Sequence, residues 1–255
     1  MNLSTLLRVA QLNLPGPEAY ERIIKGMIPP YSPREITPLL RFYSVKSNRI
    51  VFYPMEEYPK RLLDLENPPF LLSYNSTLPQ KEERIITLAG SRSCDFEGLQ
   101  AAFILGKALA EAGFTLLVSN SRGFDRWARL GSQSANKASY VNCDCGLGTK
   151  RITYDRSLEG EKLISAFLPF EEVTPIRCLS RNVLSAALSD VTIIGPAPSD
   201  SGALHVASWA LDLGKEVLVH PSGVGPKKTQ MGSSFLHQSG AHLFGGGDLP
   251  SKGVI

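Results

Sequence analysis

The sequence predicts an α/β fold built on a doubly wound, mostly parallel sheet of Rossmann-like type. Short apolar runs recur at 84–89, 114–118, 139–142, 191–194 and 216–219, with a weaker one near 163–168. Amphipathic helical patterns lie between several of them, with glycine and small polar residues at the joints. Strands buried on both faces read as continuous apolar runs, and alternating them with helices covers both faces of a parallel sheet.

Each element has its own signal. Leu3, Leu6, Leu7, Val9 and Ala10 form an apolar helical face that Leu14-Pro15-Gly16-Pro17 ends. A second helix starts at Pro17 or Glu18, carries Tyr20, Ile23 and Ile24, and stops at Pro29-Pro30; Pro33 and Pro38 are expected to keep the next segment irregular. Residues 1–45 hold too little apolar material for their own core and read as a small helical appendage on a core spanning 46–248. Arg49–Tyr53 is β-branched and apolar enough for a strand. A helical turn begins at Tyr58-Pro59, and Pro68-Pro69-Phe70-Leu71-Leu72 leads into another extended piece. After the run at 84–89, Leu99, Ala102, Phe103, Gly106, Leu109 and Ala110 recur at helical spacing, with Asp95 as N-cap and Gly113 at the other end. A helix at 201–213 places Leu204, Ala207, Ala210 and Leu211 on one face and ends at Gly214. Gly245-Gly246-Gly247 opens a tail, assigned to 249–255.

Composition sets wide bounds. The 255 residues allow one large domain or a domain with an appendage. With 43% hydrophobic and 20% charged residues the chain reads as globular, and a net charge of +3 permits a local nucleic-acid face without requiring one. No run of 18 apolar residues suggests a membrane span, and Met1-Asn2-Leu3-Ser4 lacks the basic head and apolar stretch of a secretory leader. Cys94, Cys143, Cys145 and Cys178 sit in or beside core elements and read as reduced, cytosolic thiols.

The residues able to carry chemistry cluster where apolar runs end, the edge at which such sheets hold ligands. Gly90-Ser91-Arg92 follows the run at 84–89 and opens a helix: glycine admits close backbone approach, the serine hydroxyl and free N–H groups donate to phosphate, and arginine adds charge. Ser119-Asn120-Ser121-Arg122-Gly123-Phe124-Asp125 follows the run at 114–118. Leu179-Ser180-Arg181-Asn182 is expected at a helix start, and Ser199-Asp200-Ser201-Gly202-Ala203 at another. Three arginines and several hydroxyls thus converge on one rim and point to a phosphate-bearing ligand. Each arginine also has a bland reading, as a surface residue or a structural partner of Asp125 or Asp190. Asp125 reads as structural support rather than catalyst, because a carboxylate repels phosphate; it orients an arginine or caps the next helix.

Catalytic and metal sets are poor. Cys143-x-Cys145 has no matching pair, so both read as small core residues, and His205, His220, His237 and His242 lack the spacing of a metal helix. Gly-x-Ser-x-Gly and Gly-x-x-x-x-Gly-Lys-Ser/Thr are absent, and Gly90 stands alone where a dinucleotide fingerprint needs several glycines. No catalytic residue, metal or cofactor is assigned.

The ordered set resembles the DprA/Smf DNA-processing family over about residues 49–245. The resemblance rests on Tyr58-Pro59 with Leu62-Leu63 and Pro68-Pro69, on Gly90-Ser91-Arg92 with Gly98, and on Arg122-Gly123-Phe124-Asp125. It continues through Arg181-Asn182 with Ala187-Leu188-Ser189-Asp190, Ser201-Gly202-Ala203-Leu204, and Gly232-Ser233-Ser234 with Gly240-Ala241. Residues 1–45 faintly resemble the family's preceding helical module. The chain departs from the family pattern at Val118-Ser119-Asn120-Ser121, at Val183 where a second arginine is usual, at Arg129 in place of histidine, and at Gly195-Pro196. The resemblance implies a non-enzymatic protein that binds single-stranded DNA, loads RecA recombinase during DNA uptake and forms a homodimer. Phosphate contacts would come from Gly90, Ser91, Arg92, Ser121, Arg122, Gly123, Arg181, Asn182, Ser201 and Gly202, with Phe124 and Phe96 as candidates for base stacking, though core packing suits either ring.

Two other readings stand beside this one. One is an enzyme or binder for a nucleotide-derived small molecule, for which Gly146-Leu147-Gly148-Thr149 is the nearest motif; it lacks the leading proline and following acid of the phosphoribohydrolases. The other is a degenerate relative kept as a protein-interaction module, which Val183 favours.

Overall fold

From residue 85 onward strands and helices alternate in the order the apolar runs set, after three helices and two strands. The computed structural model describes residues 2–245, so the tail expected at 249–255 lies outside the described residues. The first elements are α1 (Leu3–Ala10), α2 (Gly16–Ile24), α3 (Pro33–Ser44), β1 (Arg49–Phe52) and β2 (Leu71–Tyr74). Then come β3 (Ile85–Ala89), α4 (Phe96–Glu111), β4 (Thr115–Ser119), α5 (Phe124–Ser134) and β5 (Tyr140–Asn142). The rest comprises α6 (Lys150–Thr153), β6 (Lys162–Ser165), α7 (Pro175–Leu188), β7 (Val191–Ile194), α8 (Gly202–Asp212), β8 (Glu216–Val219), α9 (Met231–Gln238) and β9 (His242–Leu243). Two compact units emerge: Met1–Glu82 with Tyr140–Arg181, and Glu83–Ser139 with Asn182–Ile255.

In the first unit β2 runs antiparallel to both β1 and β6, and β6 runs parallel to β5. Antiparallel pairing of β1 and β2 follows from their connection, which carries only a short 3₁₀ turn at Lys60–Leu62 and no crossover helix. Leu6, Leu7, Val9, Ala19, Ile36 and Leu39 pack with Phe52, Phe70 and Leu71 in one apolar cluster. One expectation is corrected here: Pro33 starts α3 and Pro38 lies inside it. Pro33 suits a first helical turn, where no N–H partner is needed. An interior proline costs about 3 kcal/mol, but burying Ile36 and Leu39 returns about 1.5–3 kcal/mol each, so burial wins.

The second unit is the doubly wound part. Its strands are parallel around β3: β4 pairs on one side, and β7, then β8, then β9 on the other. Chain order therefore reverses between β3 and β7. Right-handed crossovers on either side of such a reversal send their helices to opposite faces, leaving a crevice at the carboxyl ends of β3 and β7. Thr87 is buried within β3, and its hydroxyl donates to the Ser185 carbonyl at 2.9 Å. Asp95 caps α4 as expected, its carboxylate accepting from Gly98 N at 2.9 Å, and Gly113 closes that helix at φ +93°. Helix α8 lays Ala203, Val206, Ala207 and Ala210 against Ala89, Ile194 and Val217.

Helix α7 crosses the division between the units at Arg181 and Asn182. It starts at Pro175, six residues before Arg181, so the expected helix start at Leu179–Asn182 is corrected. The missed signal is Thr174-Pro175: the Thr174 hydroxyl accepts from Arg177 N at 3.2 Å, and proline occupies the first helical position.

Candidate anion-binding site

Three loops leave the carboxyl ends of β3, β4 and β7, and they are bonded to one another. Ser91 N donates to the Pro196 carbonyl at 2.7 Å, joining the β3 loop to the β7 loop across the switch point. Phe124 N donates to the Ser91 carbonyl at 3.1 Å, joining the β3 and β4 loops. Gly195 N reaches the Ala89 carbonyl at 2.9 Å.

Asp125 organises this junction. Buried at the start of α5, its carboxylate accepts from Gly90 N at 3.0 Å, from Ser119 N at 3.2 Å and from the Ser119 hydroxyl. The Ser119 oxygen in turn accepts from Ser121 N at 3.1 Å. The carboxylate thus meets backbone donors of both loops. Phe124, fully buried, fills the space beneath: a Cβ on Gly90 would sit 2.5 Å from its ring and one on Gly195 at 2.3 Å. Gly123 adopts φ +77°, and a Cβ there would meet the Ser91 carbonyl oxygen at 2.3 Å and Arg92 Cα at 2.7 Å. Only glycine fits that close approach of the two loops.

Above this floor Arg92 and Arg122 are exposed, and neither has a carboxylate partner among the described residues. The buried Ser91 and Ser121 lie beside them, the Ser91 hydroxyl oxygen accepting from Ser93 N at 3.1 Å. The expectation of free amides is revised at two positions: the N–H groups of Gly90 and Ser91 are engaged inside the protein. Ser201 caps α8, accepting from Ala203 N at 3.3 Å. Buried Asn182 donates to the Gly202 carbonyl at 3.1 Å, fixing that helix start. Ser201 and Gly202 thus edge the β7 side of the crevice, while Arg92 and Arg122 edge the β3 and β4 side.

Arg181 is placed differently. It belongs to the first unit, is 6% exposed, and makes a long 3.5 Å contact from Nη1 to the Asn142 carbonyl. Its Nε has no partner among the described residues. Of the ring candidates, Phe124 is core and Phe96 is 74% exposed. Burial, with the Asp125 charge adding to it, pushes the Cys94 thiol up to about 11, so it stays protonated and unreactive at neutral pH. Cys143 and Cys145 are fully buried, and among the described residues no group of three His, Cys, Asp or Glu side chains is placed to hold a metal. No helix among the described residues is long and apolar enough to cross a membrane.

Sequence reasoning missed Lys227, whose Nζ bridges the Asp95 and Glu97 carboxylates at 2.7 Å each from the loop after β8. Partners 132 and 130 residues apart leave no local signal. The Pro196 carbonyl was missed too, since a backbone acceptor has no residue-type signature.

A mostly parallel, doubly wound sheet whose loops are bonded to one another across the switch point defines a Rossmann-like α/β protein. Residues 49–249 match the model of the DNA recombination-mediator protein A family, and the chain belongs to that family. It is 27% identical over 178 residues to Protein Smf of Borreliella burgdorferi, covering 68% of this chain and 57% of that one. Against Protein Smf of Escherichia coli it is 28% identical over 196 residues, covering 74% and 52%. The chain spans about half the length of the curated relatives it matches. The fold is shared with DNA processing protein A from Streptococcus pneumoniae, at TM-score 0.72 and 19% identity over 89% of this chain and 77% of that one. It is shared also with DNA processing protein A from Helicobacter pylori, described for its single-stranded DNA binding mode, at TM-score 0.64 and 21% identity over 78% and 91%.

Proposed function

We propose that the chain binds single-stranded DNA through its phosphate backbone, without reading sequence and without turnover. The observation that carries this is the pair of exposed guanidinium groups, Arg92 and Arg122, without a carboxylate partner among the described residues and held on abutting loops at the β3/β7 switch point. A backbone tracked by arginines, hydroxyls and a helix start presents the same phosphates whatever the bases. Ser91, Ser121, Ser201 and Gly202 add neutral donors, while Asn182 and Asp125 hold the framework. Arg181 is a separate phosphate contact in the first unit: a buried charge with no carboxylate partner among the described residues gains most from an incoming anion. Loading of RecA recombinase onto the bound strand, homodimer formation and a role in DNA uptake in the cytoplasm complete the reading, on family resemblance.

The test is titration of a dT oligonucleotide at several salt concentrations. Arg92→Ala and Arg122→Ala should each weaken binding alike for different sequences and lower the slope of log K against log salt by about 0.7 per lost phosphate contact. Unchanged affinity and slope in a folded Arg92→Ala chain would remove that residue from the site.

A further inference from the structure

We infer that Phe96 is the stacking platform for one base of the bound strand, an inference that rests on the single-stranded DNA reading above. Phe96 is the first residue of α4, four positions after Arg92, and its ring is 74% exposed. It takes part in no ring–ring contact among the described residues. Its position relative to the cationic loop is fixed by a tight turn. Ser93 N donates to the Ser91 hydroxyl at 3.1 Å, the Cys94 thiol to the Ser91 carbonyl at 3.3 Å, and Gly98 N to the Asp95 carboxylate at 2.9 Å. Four residues of chain span at most about 14 Å, so a phosphate on Arg92 leaves its neighbouring base within reach of the ring.

The charges around the ring fit the same occupant. Phe96 stands between Asp95 and Glu97, two carboxylates that alone would repel a polyanion. Lys227 reaches both at 2.7 Å, and its ammonium holds the Asp95 carboxyl below its ordinary range. The acids beside the ring are thereby screened, and the phenyl face stays open. Stacking on such a face is tolerant of sequence, because every base has a π-face. Phe124, also at these loops, is closed off as core.

The experiment compares a dT oligonucleotide with an abasic strand of the same length, using the full chain at fixed salt. Phe96→Ala should bind dT about tenfold more weakly, leave binding to the abasic strand unchanged, and keep the wild-type salt slope. Phe96→Trp should keep the dT affinity and show indole fluorescence quenched by dT but not by the abasic strand. Wild-type affinity of Phe96→Ala for dT overturns the proposal, as does an equal loss on both strands. A wild-type chain that binds neither strand overturns the DNA reading itself, and the platform with it.

Discussion

The loop after β3 and the loop after β5 occupy equivalent places, each at the carboxyl end of a parallel strand in its own unit, yet they treat charge in opposite ways. In the β5 loop the buried Asp144 faces a cation, with Arg151 Nη2 3.2 Å from its carboxylate. At the end of β3 the buried carboxylate of Asp125, on α5, accepts from the Gly90 and Ser119 N–H groups, and neither Arg92 nor Arg122 has a carboxylate partner among the described residues. The first arrangement engages its arginine, whereas Arg92 and Arg122 are unpaired among the described residues. Under the proposed function, the strand end whose arginines lack a carboxylate partner is the one that takes the anion.

Removing Asp125 breaks this comparison at its root. Asp125→Ala strips the acceptor from Gly90 N, Ser119 N and the Ser119 hydroxyl, and at about 1–3 kcal/mol per buried unsatisfied donor the loss is on the order of 3 kcal/mol or more. Urea unfolding measures it, and a loss below about 1 kcal/mol would show that the junction does not depend on this carboxylate.

Another effect belongs to the β8 end of the same unit. Burial pulls His220 from an ordinary 6.5 down to about 4, and its Nδ1 accepts from Ser222 N at 3.2 Å. Between those values the unfolded chain binds the proton and the folded chain does not, so stability falls as pH drops from 6.5 towards 4. The slope this adds is at most about 1.4 kcal/mol per pH unit. His220→Asn should flatten the dependence of unfolding free energy on pH across that window. A slope identical to wild type would show that His220 does not set it.

The smallest effect sharpens the comparison directly. Arg151→Ala, whose charge Asp144 already engages, should leave the salt slope of oligonucleotide binding unchanged, against the drop of about 0.7 expected for Arg92→Ala. Equal drops would mean that the ion pair opens for DNA and that the two loops are alike.

Much of the architecture was legible because it is written locally. Apolar runs fell on β3, β4, β5, β7 and β8, and Asp95, Gly113 and Gly214 marked helix ends through capping and left-handed turns. The Gly90-Ser91-Arg92 and Arg122-Gly123 loops were likewise visible as breaks between periodic segments. What stayed hidden depends on tertiary context. Pro38 sits in a helix because Ile36 and Leu39 are buried. Arg181 lies inside α7 because that helix starts at Pro175, about one turn before Leu179. Phe96 and Phe124 are the same residue type at similar helix starts, yet one is open and the other fully buried, a difference that only packing decides. The Lys227 bridge pairs residues too distant for any periodicity to register.

Phe124 has one more consequence. Because positions 90 and 195 both press their backbones onto its ring, their evolutionary freedom is tied to a third site. A methyl group at either becomes admissible only where residue 124 has shrunk, so Gly90→Ala should be rescued by Phe124→Leu rather than worsened by it. These three columns will drift as a set, a correlated signature traceable to one benzene ring.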